Sequence, residues 1–346
     1  MCQSFSVARI QTMHVAILYN RVSLSDSAGD LDVLKQCVAV EQALRSLGHV
    51  TTRVACTMDL AFVRASLEKE MPGAVFNLVE SLGGTDRLMP AASLLLESLQ
   101  IPFTGASSLA MLLTSGKLVA KRRMLDCELS TPAWLTESDL AWQGVDAPGW
   151  TPEQAIVKAV AEHASLGLND ESVIACSTLS PSDLTNRIAL RSQQSGTPHF
   201  AEQYIDGREF NLSLIADRGD AFVLPPAEIE FIDFPGGKPK IVGHDAKWNE
   251  HTSEYINTPR RFDFPSSDQA LLDELEALAR RCWTAFDLRG YARVDFRVDA
   301  DGQPWILEIN ANPCLSPDAG FAAAVEQAGL SFQDVVERIL QDAIRI

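Results

Sequence analysis

Four side chains near the C-terminus, Arg293, Asp295, Glu308 and Asn310, have the types and spacing to do chemistry together. In GYARVDFRVDADGQPWILEINANP, Gly290 to Pro313, the residues Arg293, Asp295 and Arg297 alternate with Val294, Phe296 and Val298, while Glu308 and Asn310 alternate with Leu307 and Ile309. That period of two predicts a β-hairpin turning at Asp301-Gly302, with one apolar face and one chemical face. If Asp295 lies opposite Glu308, the same register sets Arg293 opposite Asn310 and leaves a four-residue loop, Ala300 to Gln303. Two carboxylates that close repel unless a cation sits between them. Oxygen ligands without His or Cys favour Mg2+ over zinc.

Such a hairpin needs a scaffold, and the chain is long enough to supply one. At 346 residues it exceeds what one core usually organises, so two or three domains are expected. With 46% hydrophobic and 22% charged residues it has the composition of a folded globular protein. The formal charge of −17 argues against nucleic acid as principal partner, because that binding draws on Lys and Arg against phosphates. A small anionic ligand then needs a local cluster of cations. Seven cysteines without C-x-x-C spacing suggest neither a disulfide framework nor a zinc site, and a reducing cytoplasm fits them. The opening MCQSFSVARIQTM lacks the apolar run of a signal peptide, no later stretch reaches membrane-spanning length, and Met13 is an alternative start.

Strands are expected at Val15 to Tyr19, Val50 to Ala55 and Ala74 to Val79, alternating with helices, which predicts a parallel sheet flanked by helices. Leu34, Val38, Leu44 and Leu47 mark the apolar face of the first helix, which Gly48 ends. Ligands bind beyond the carboxyl ends of such strands, which puts Tyr19, Asn20 and Glu80 to Gly84 at a ligand edge. Ala155 to Val160 reads as a strand with one internal lysine, Lys158, and FAEQYIDGREFNLSLIA reads as strand, turn, strand. Ser267 or Asp268 is expected to cap a helix reaching Phe286, with Leu271, Leu275, Leu278 and Cys282 on its stripe, and Ser331 with Asp334 resembles a capping box.

Taken in order, IPFTG, a lysine-bearing helix, IVKAV, AEQYIDGREF, DAKW and RVDF…LEINANP resemble the ATP-grasp superfamily, with D-alanine:D-alanine ligases as the nearest likeness, from about Val15 to the final helix. The resemblance implies a mixed α/β and α+β fold in three parts: an N-terminal α/β domain over 13–115, a central ATP-grasp subdomain over 116–198 and a C-terminal catalytic subdomain over 199–346. It implies an enzyme that activates a carboxylate with ATP as an acyl phosphate, which an amine then attacks. Asp295, Glu308 and Asn310 match the metal ligands, for two Mg2+ with Mn2+ as the alternative, and Arg293 matches the residue that stabilises charge on the acyl phosphate. Lys117, Lys158 and Lys247 match phosphate-contacting lysines, and Lys247 also stands among the catalytic candidates. Read alone, Lys158 could equally lay its stem on the core and reach solvent. Glu202 matches the acceptor of the adenine amino group, the backbone at Tyr204 and Ile205 the ring edge, and Glu209 the ribose hydroxyls.

Departures from the pattern fall on the lid and the substrate side. The phosphate-covering loop, Ala161 to Leu168, has His163, Ala164 and Ser165 in place of a Gly-Ser-Ser core, with Ser165 retained as a phosphate candidate. Glu80-Ser81 stands where the ligases have His-Gly, LYNRVSLSDSAGD replaces their N-terminal Gly-Gly…Glu segment, and Trp248 replaces a tyrosine. Asn312 and the backbone after Pro313 are candidates to hold the reacting carboxylate, and Cys314 reads as a pocket-lining residue. Glu80 either meets an ammonium or guanidinium or caps its loop. These changes point to small-molecule carboxylate and amine substrates other than two D-alanines. An authentic D-alanine:D-alanine ligase and a non-catalytic ATP-binding regulator remain the alternatives, and a homodimer is left open.

Overall fold

A computed structural model describes residues 11–345 except 24, 25, 27, 148, 162–167, 178, 244–248 and 250. The apolar run after Met13 forms β1 (His14–Asn20), flanked in parallel by β2 (Val50–Cys56) and β3 (Ala74–Leu78) in the order β2-β1-β3. Parallel neighbours require crossovers, and the helices Ala28–Ser46 and Leu60–Glu70 supply them. The first helix buries Val33, Cys37, Val40, Ala43 and Leu44, whereas Val38 is 42% exposed, so the expected stripe is turned by about one residue. The reason is that this helix packs against both the sheet and the final helix, Phe332–Arg345, in one shared cluster.

The second sheet joins β4 (Trp134–Leu135), β5 (Gln154–Ala159), β6 (Val173–Ala175) and β7 (His199–Gln203) in the order β4-β7-β5-β6. The third holds β8 (Arg208–Asp217), β9 (Asp220–Val223), β10 (Ala227–Ile229), β11 (Arg260–Arg261), β12 (Tyr291–Val298) and β13 (Pro304–Asn310), ordered β11-β10-β8-β12-β13, with β9 also on β8. The stretch read as strand, turn, strand forms both strands, and they belong to different sheets. β7 pairs with β4 and β5, β8 pairs with β9, β10 and β12, and residues 204–207 carry the chain from one sheet to the other. Gly207 makes that passage feasible, since a Cβ there would come within 2.0 Å of the Val298 carbonyl oxygen. The central sheet thus draws a strand from beyond the 198/199 division.

Two helix starts test local chemistry. Ser331 and Asp334 form the expected reciprocal box, with both backbone-to-side-chain bonds at 3.1 Å. Before Gln269–Ala285, by contrast, Ser266–Asp268 is a 3-10 turn, and Asp268 makes no side-chain cap. Its carboxylate accepts instead from Arg208 Nη2 at 2.7 Å, an ion pair that outcompetes a cap bond to a neutral amide. Leu275, Cys282 and Phe286 are buried against the third sheet as the stripe requires. No helix among the described residues is long and apolar enough to cross a membrane.

Candidate functional site

The hairpin forms in the expected register at its chemical end. Asp295 lies opposite Glu308 and Arg293 opposite Asn310. The ladder then shifts between Asp295 and Phe296, so that Phe296 pairs with Ile306 and Leu307 is an extra residue. The loop consequently runs from Asp299 to Gln303, one residue longer than predicted. Asp299 organises it: its Oδ1 accepts from the Asp301 and Gln303 amides at 3.0 and 2.9 Å, and its Oδ2 from Trp305 Nε1 at 2.8 Å. The bulge also overturns one assignment of face. Leu307 does not join Ile309 in the core but lines a cleft of about 1080 Å³ together with Glu308.

Within that cleft the chemical face is cross-paired. Arg293 grips Asp295 with two parallel bonds, Nε to Oδ1 at 2.7 Å and Nη2 to Oδ2 at 2.8 Å, and Asn211 Nδ2 on β8 donates to the same Oδ1 at 2.8 Å. Burial disfavours the Arg293 charge, but Asp295, with help from Glu308, outweighs it and raises the pKa. Lys117 opens the helix Lys117–Asp126 and brings its Nζ to 3.5 Å from Glu308 Oε2. Asn310 Oδ1 accepts from the Asn312 amide at 3.0 Å.

Lys158 projects from β5, and its ammonium donates to Glu202 Oε2. Glu202 is 1% exposed and is shared with Lys121, whose Nζ lies 2.7 Å from its Oε1. Lys121 also donates to Thr131 Oγ1 and the Pro132 carbonyl, both at 2.8 Å. Burial alone would raise the Glu202 carboxyl; the two ammoniums, Lys121 first, bring it below its ordinary value. Burial pushes Lys121 down to about 8 even against the pull of Glu202, so it stays charged at neutral pH. Without nucleotide, then, Glu202 serves as counter-ion to two lysines. Lys121 was legible only as the residue one helical turn after Lys117.

Further along the wall, Glu209 on β8 sits opposite Arg297 on β12, and the two are ion-paired at 2.8 Å. Arg297 lies under the rings of Tyr204 and Phe231, donates to the Gly207 carbonyl at 3.3 Å and also donates to the Lys240 carbonyl. It is 4% exposed and was visible in the sequence as the third member of the Arg293-Asp295-Arg297 alternation. Tyr204 and Ile205 both line the cleft, although the Tyr204 amide is engaged with the Gln154 carbonyl at 3.0 Å. The Tyr204 N-H is thereby already satisfied within the protein.

At the other end the N-terminal unit meets the loop after β13. Glu80 accepts from Gln36 Nε2 at 3.0 Å, and Gln36 Oε1 accepts from the Leu315 amide at 2.9 Å. Burial, reinforced by Asp32, Asp86 and Asp30 and opposed by the Gln36 bond, pushes the Glu80 carboxyl up to about 7. Cys314 Sγ donates to Asp32 Oδ2 at 3.0 Å, and Ser316 Oγ donates to the same oxygen at 2.5 Å. Burial, then the charges of Glu80 and Asp32, raises the Cys314 thiol, which suits a pocket wall and not a nucleophile. Asn312 proves to be a strut: it donates to the Val79 carbonyl at 2.9 Å and accepts from Tyr291 at 2.5 Å. Both polar atoms of its side chain thus have protein partners, while the residue still lines the cleft. Nothing local in the sequence marks Asp32, which reaches the site only through packing of the first helix. Lys247, Trp248, His163 and Ser165 lie outside the described residues.

The donor set suits a hard divalent ion. Asp295, Glu308 and Asn310 offer only oxygen, and among the described residues no group of three or more His, Cys, Asp or Glu is arranged for a metal. Two carboxylates with an amide fit Mg2+, which usually keeps waters and takes its remaining ligands from phosphates.

Comparison with known proteins agrees with this arrangement. The family described as D-ala D-ala ligase C-terminus matches residues 154–341. A D-alanine–D-alanine ligase of Methylococcus capsulatus is 30% identical over 330 residues, covering 92% of this chain and 94% of that protein. An uncharacterized protein of Sinorhizobium fredii, y4sG, is 29% identical over 315 residues, covering 89% and 87%. Among solved structures, a D-alanine–D-alanine ligase of Bacillus anthracis complexed with ATP superposes with a TM-score of 0.70 at 18% identity, covering 96% of this chain and 98% of that one, and so shares the ATP-grasp fold. A profile spanning more than half the sequence, and likeness to an intact relative over nearly its full length, show that the chain belongs to the D-alanine–D-alanine ligase family.

Proposed function

We propose that this chain joins a carboxylate to an amine at the expense of ATP, with a substrate pair other than two D-alanines. ATP-dependent C–N ligation is the reaction class of its family. The observation that carries the reading is the paired floor of the cleft, Asp295 opposite Glu308 and Arg293 opposite Asn310, with Lys117 beside it. A substrate carboxylate oxygen attacks the γ-phosphorus and ADP leaves. The amine nitrogen then attacks the acyl carbon, phosphate departs, and the nitrogen gives up a proton. Asp295, Glu308 and Asn310 would hold Mg2+, which when bound neutralises charge on the phosphate oxygens. Lys117 and Lys158 would face the phosphates, and Arg293, already oriented by Asp295, would present its remaining donors to the acyl phosphate. Glu209 and the backbone at Tyr204 and Ile205 hold the nucleoside. Entry of ATP gives Lys158 a second anionic partner beside Glu202.

The substrate part of the reading rests on Glu80, raised to about 7 and braced by Gln36, next to the Asp32-Cys314 pair. The names of the relatives favour a second reading, synthesis of D-alanyl-D-alanine itself. Purified protein incubated with ATP, Mg2+ and a panel of amino acids decides between them. Release of ADP and phosphate that depends on an amine other than D-alanine, with little D-alanyl-D-alanine formed, is the expected result. Efficient production of the D-alanine dipeptide removes the first reading, and tight ATP binding without any amine-dependent release removes both.

A further inference from the structure

Arg297 lines the cleft, yet the protein itself takes up the donors on both of its terminal nitrogens. Each terminal nitrogen of a guanidinium carries two N–H groups. Nη2 pairs with Glu209 Oε2 at 2.8 Å and donates to the Lys240 carbonyl, while Nη1 donates to the Gly207 and Ile205 carbonyls at 3.3 and 3.5 Å. Three of these four acceptors are main-chain carbonyls from two separate stretches, the passage between the second and third sheets and the segment that follows β10. Tyr204 ties the same two together, its hydroxyl accepting from the Lys240 amide at 2.9 Å and donating to the Lys240 carbonyl at 3.3 Å. The rings of Tyr204 and Phe231 stand over the guanidinium, with centroids 5.9 and 5.2 Å from its carbon.

Burying a guanidinium with a carboxylate is unfavourable unless close geometry and full hydrogen bonding offset the lost hydration, and two apolar side chains would fill the same positions at less penalty. The retained pair therefore points to a use, and the register indicates which. Arg297 stands directly opposite Glu209, the carboxylate read above as holding the nucleoside. It takes Oε2 and leaves Oε1 outside the pair. A glutamate held by one oxygen has its carboxylate plane fixed, so the other oxygen aims its lone pairs one way, whereas an unheld glutamate spreads over several rotamers.

We propose that Arg297 is a positioning residue that makes Glu209 selective for an intact ribose, so that a nucleotide with both the 2′- and the 3′-hydroxyl is preferred over its deoxy forms. The proposal rests on the nucleotide site of the ligase reading and on no later step of that reaction. With a neutral side chain at 297, Glu209 has no cation opposite it on the ladder, and the hydroxyls lose a fixed acceptor.

The test is calorimetric binding of ATP, 2′-deoxyATP and 3′-deoxyATP in the presence of Mg2+ and without carboxylate or amine. The native chain should bind ATP about tenfold or more tightly than either deoxy nucleotide. Arg297→Met should bring that ratio below about threefold by weakening ATP, and Arg297→Gln, which keeps polar donors for the carbonyls, should do the same if the methionine variant fails to fold. Arg297→Lys returns the charge without the fork and recovers part of the ratio. Glu209→Gln should lower the ratio as far, and Arg297→Gln added to it should lower it no further, because one residue acts through the other. A native chain indifferent to the hydroxyls overturns the proposal. So does a ratio unchanged in Arg297→Gln, or an equal weakening of all three nucleotides, which would leave Arg297 a structural tie. Amine-dependent ADP release is measured alongside: its absence with the binding ratios as expected overturns the ligase reading alone, and absence of nucleotide binding overturns both.

Discussion

The two ends of the cleft are built by different means. At the floor, Asp295, Glu308, Arg293, Asn310, Asn211, Glu209 and Arg297 all stand on three neighbouring strands, and one register sets every pairing among them. At the opposite end, Asp32 and Gln36 come from the first helix, Glu80 from the end of β3, and Cys314 and Ser316 from a loop. Those contacts span 279 to 284 residues between the first helix and the loop. On the proposed reading, the groups that would handle phosphate and metal sit on the ladder, where position follows from pairing, and those proposed to choose a substrate sit where packing of distant segments decides.

The strongest test of this contrast strikes the floor. Glu308→Gln keeps the shape of the strand but removes a charge opposite Asp295, and turnover should fall at least about a hundredfold, roughly 3 kcal/mol of transition-state stabilisation. Steady-state ADP release, with the far-ultraviolet circular dichroism of the variant as a fold check, measures it; near-native turnover would remove the metal assignment. A second test separates structure from chemistry within the same wall. Lys121→Met leaves Glu202 with a single cation in a buried setting, and urea unfolding should register a loss of about 2 to 3 kcal/mol. A loss below about 0.5 kcal/mol would show that Lys158 alone satisfies the carboxylate.

The smallest effect belongs to the opposite end and is read in pH. The Glu80 carboxyl, raised to about 7 by burial, binds its proton more tightly in the folded chain than in the unfolded one. The stability it contributes is full below the unfolded carboxylate value and is lost as pH rises through about 7, amounting to roughly 1 to 2 kcal/mol between about pH 5 and pH 8. Glu80→Gln should flatten that part of the stability profile. If the denaturation midpoints of native and variant chains run parallel over this range, Glu80 is not a buried proton carrier.

What the sequence made legible follows the same division. Alternation and a turn predicted the pairing of Asp295 with Glu308 because a strand has only two faces. The same rule missed the bulge, since nothing in WILEIN announces which of two consecutive cleft-facing residues is the extra one. It placed β7 and β8 as two strands joined by a short turn, as they are, but a turn alone does not tell whether the strands it joins share a sheet. Asp32 carried no signal at all. It lies inside an ordinary amphipathic helix, and only the folded chain distinguishes it.

Leu307 is where the misread bulge matters most. A regular strand turns only every second side chain toward a given face, about 6.8 Å apart along the chain. The extra residue doubles that density locally, so that a hydrocarbon surface and a carboxylate, Leu307 and Glu308, stand on consecutive residues of one wall while Ile306 and Ile309 keep their places in the core. A ligand with a flat apolar part joined by a short arm to an anionic part fits that spacing only with a cation between its anion and Glu308, as the proposed Mg2+ would supply.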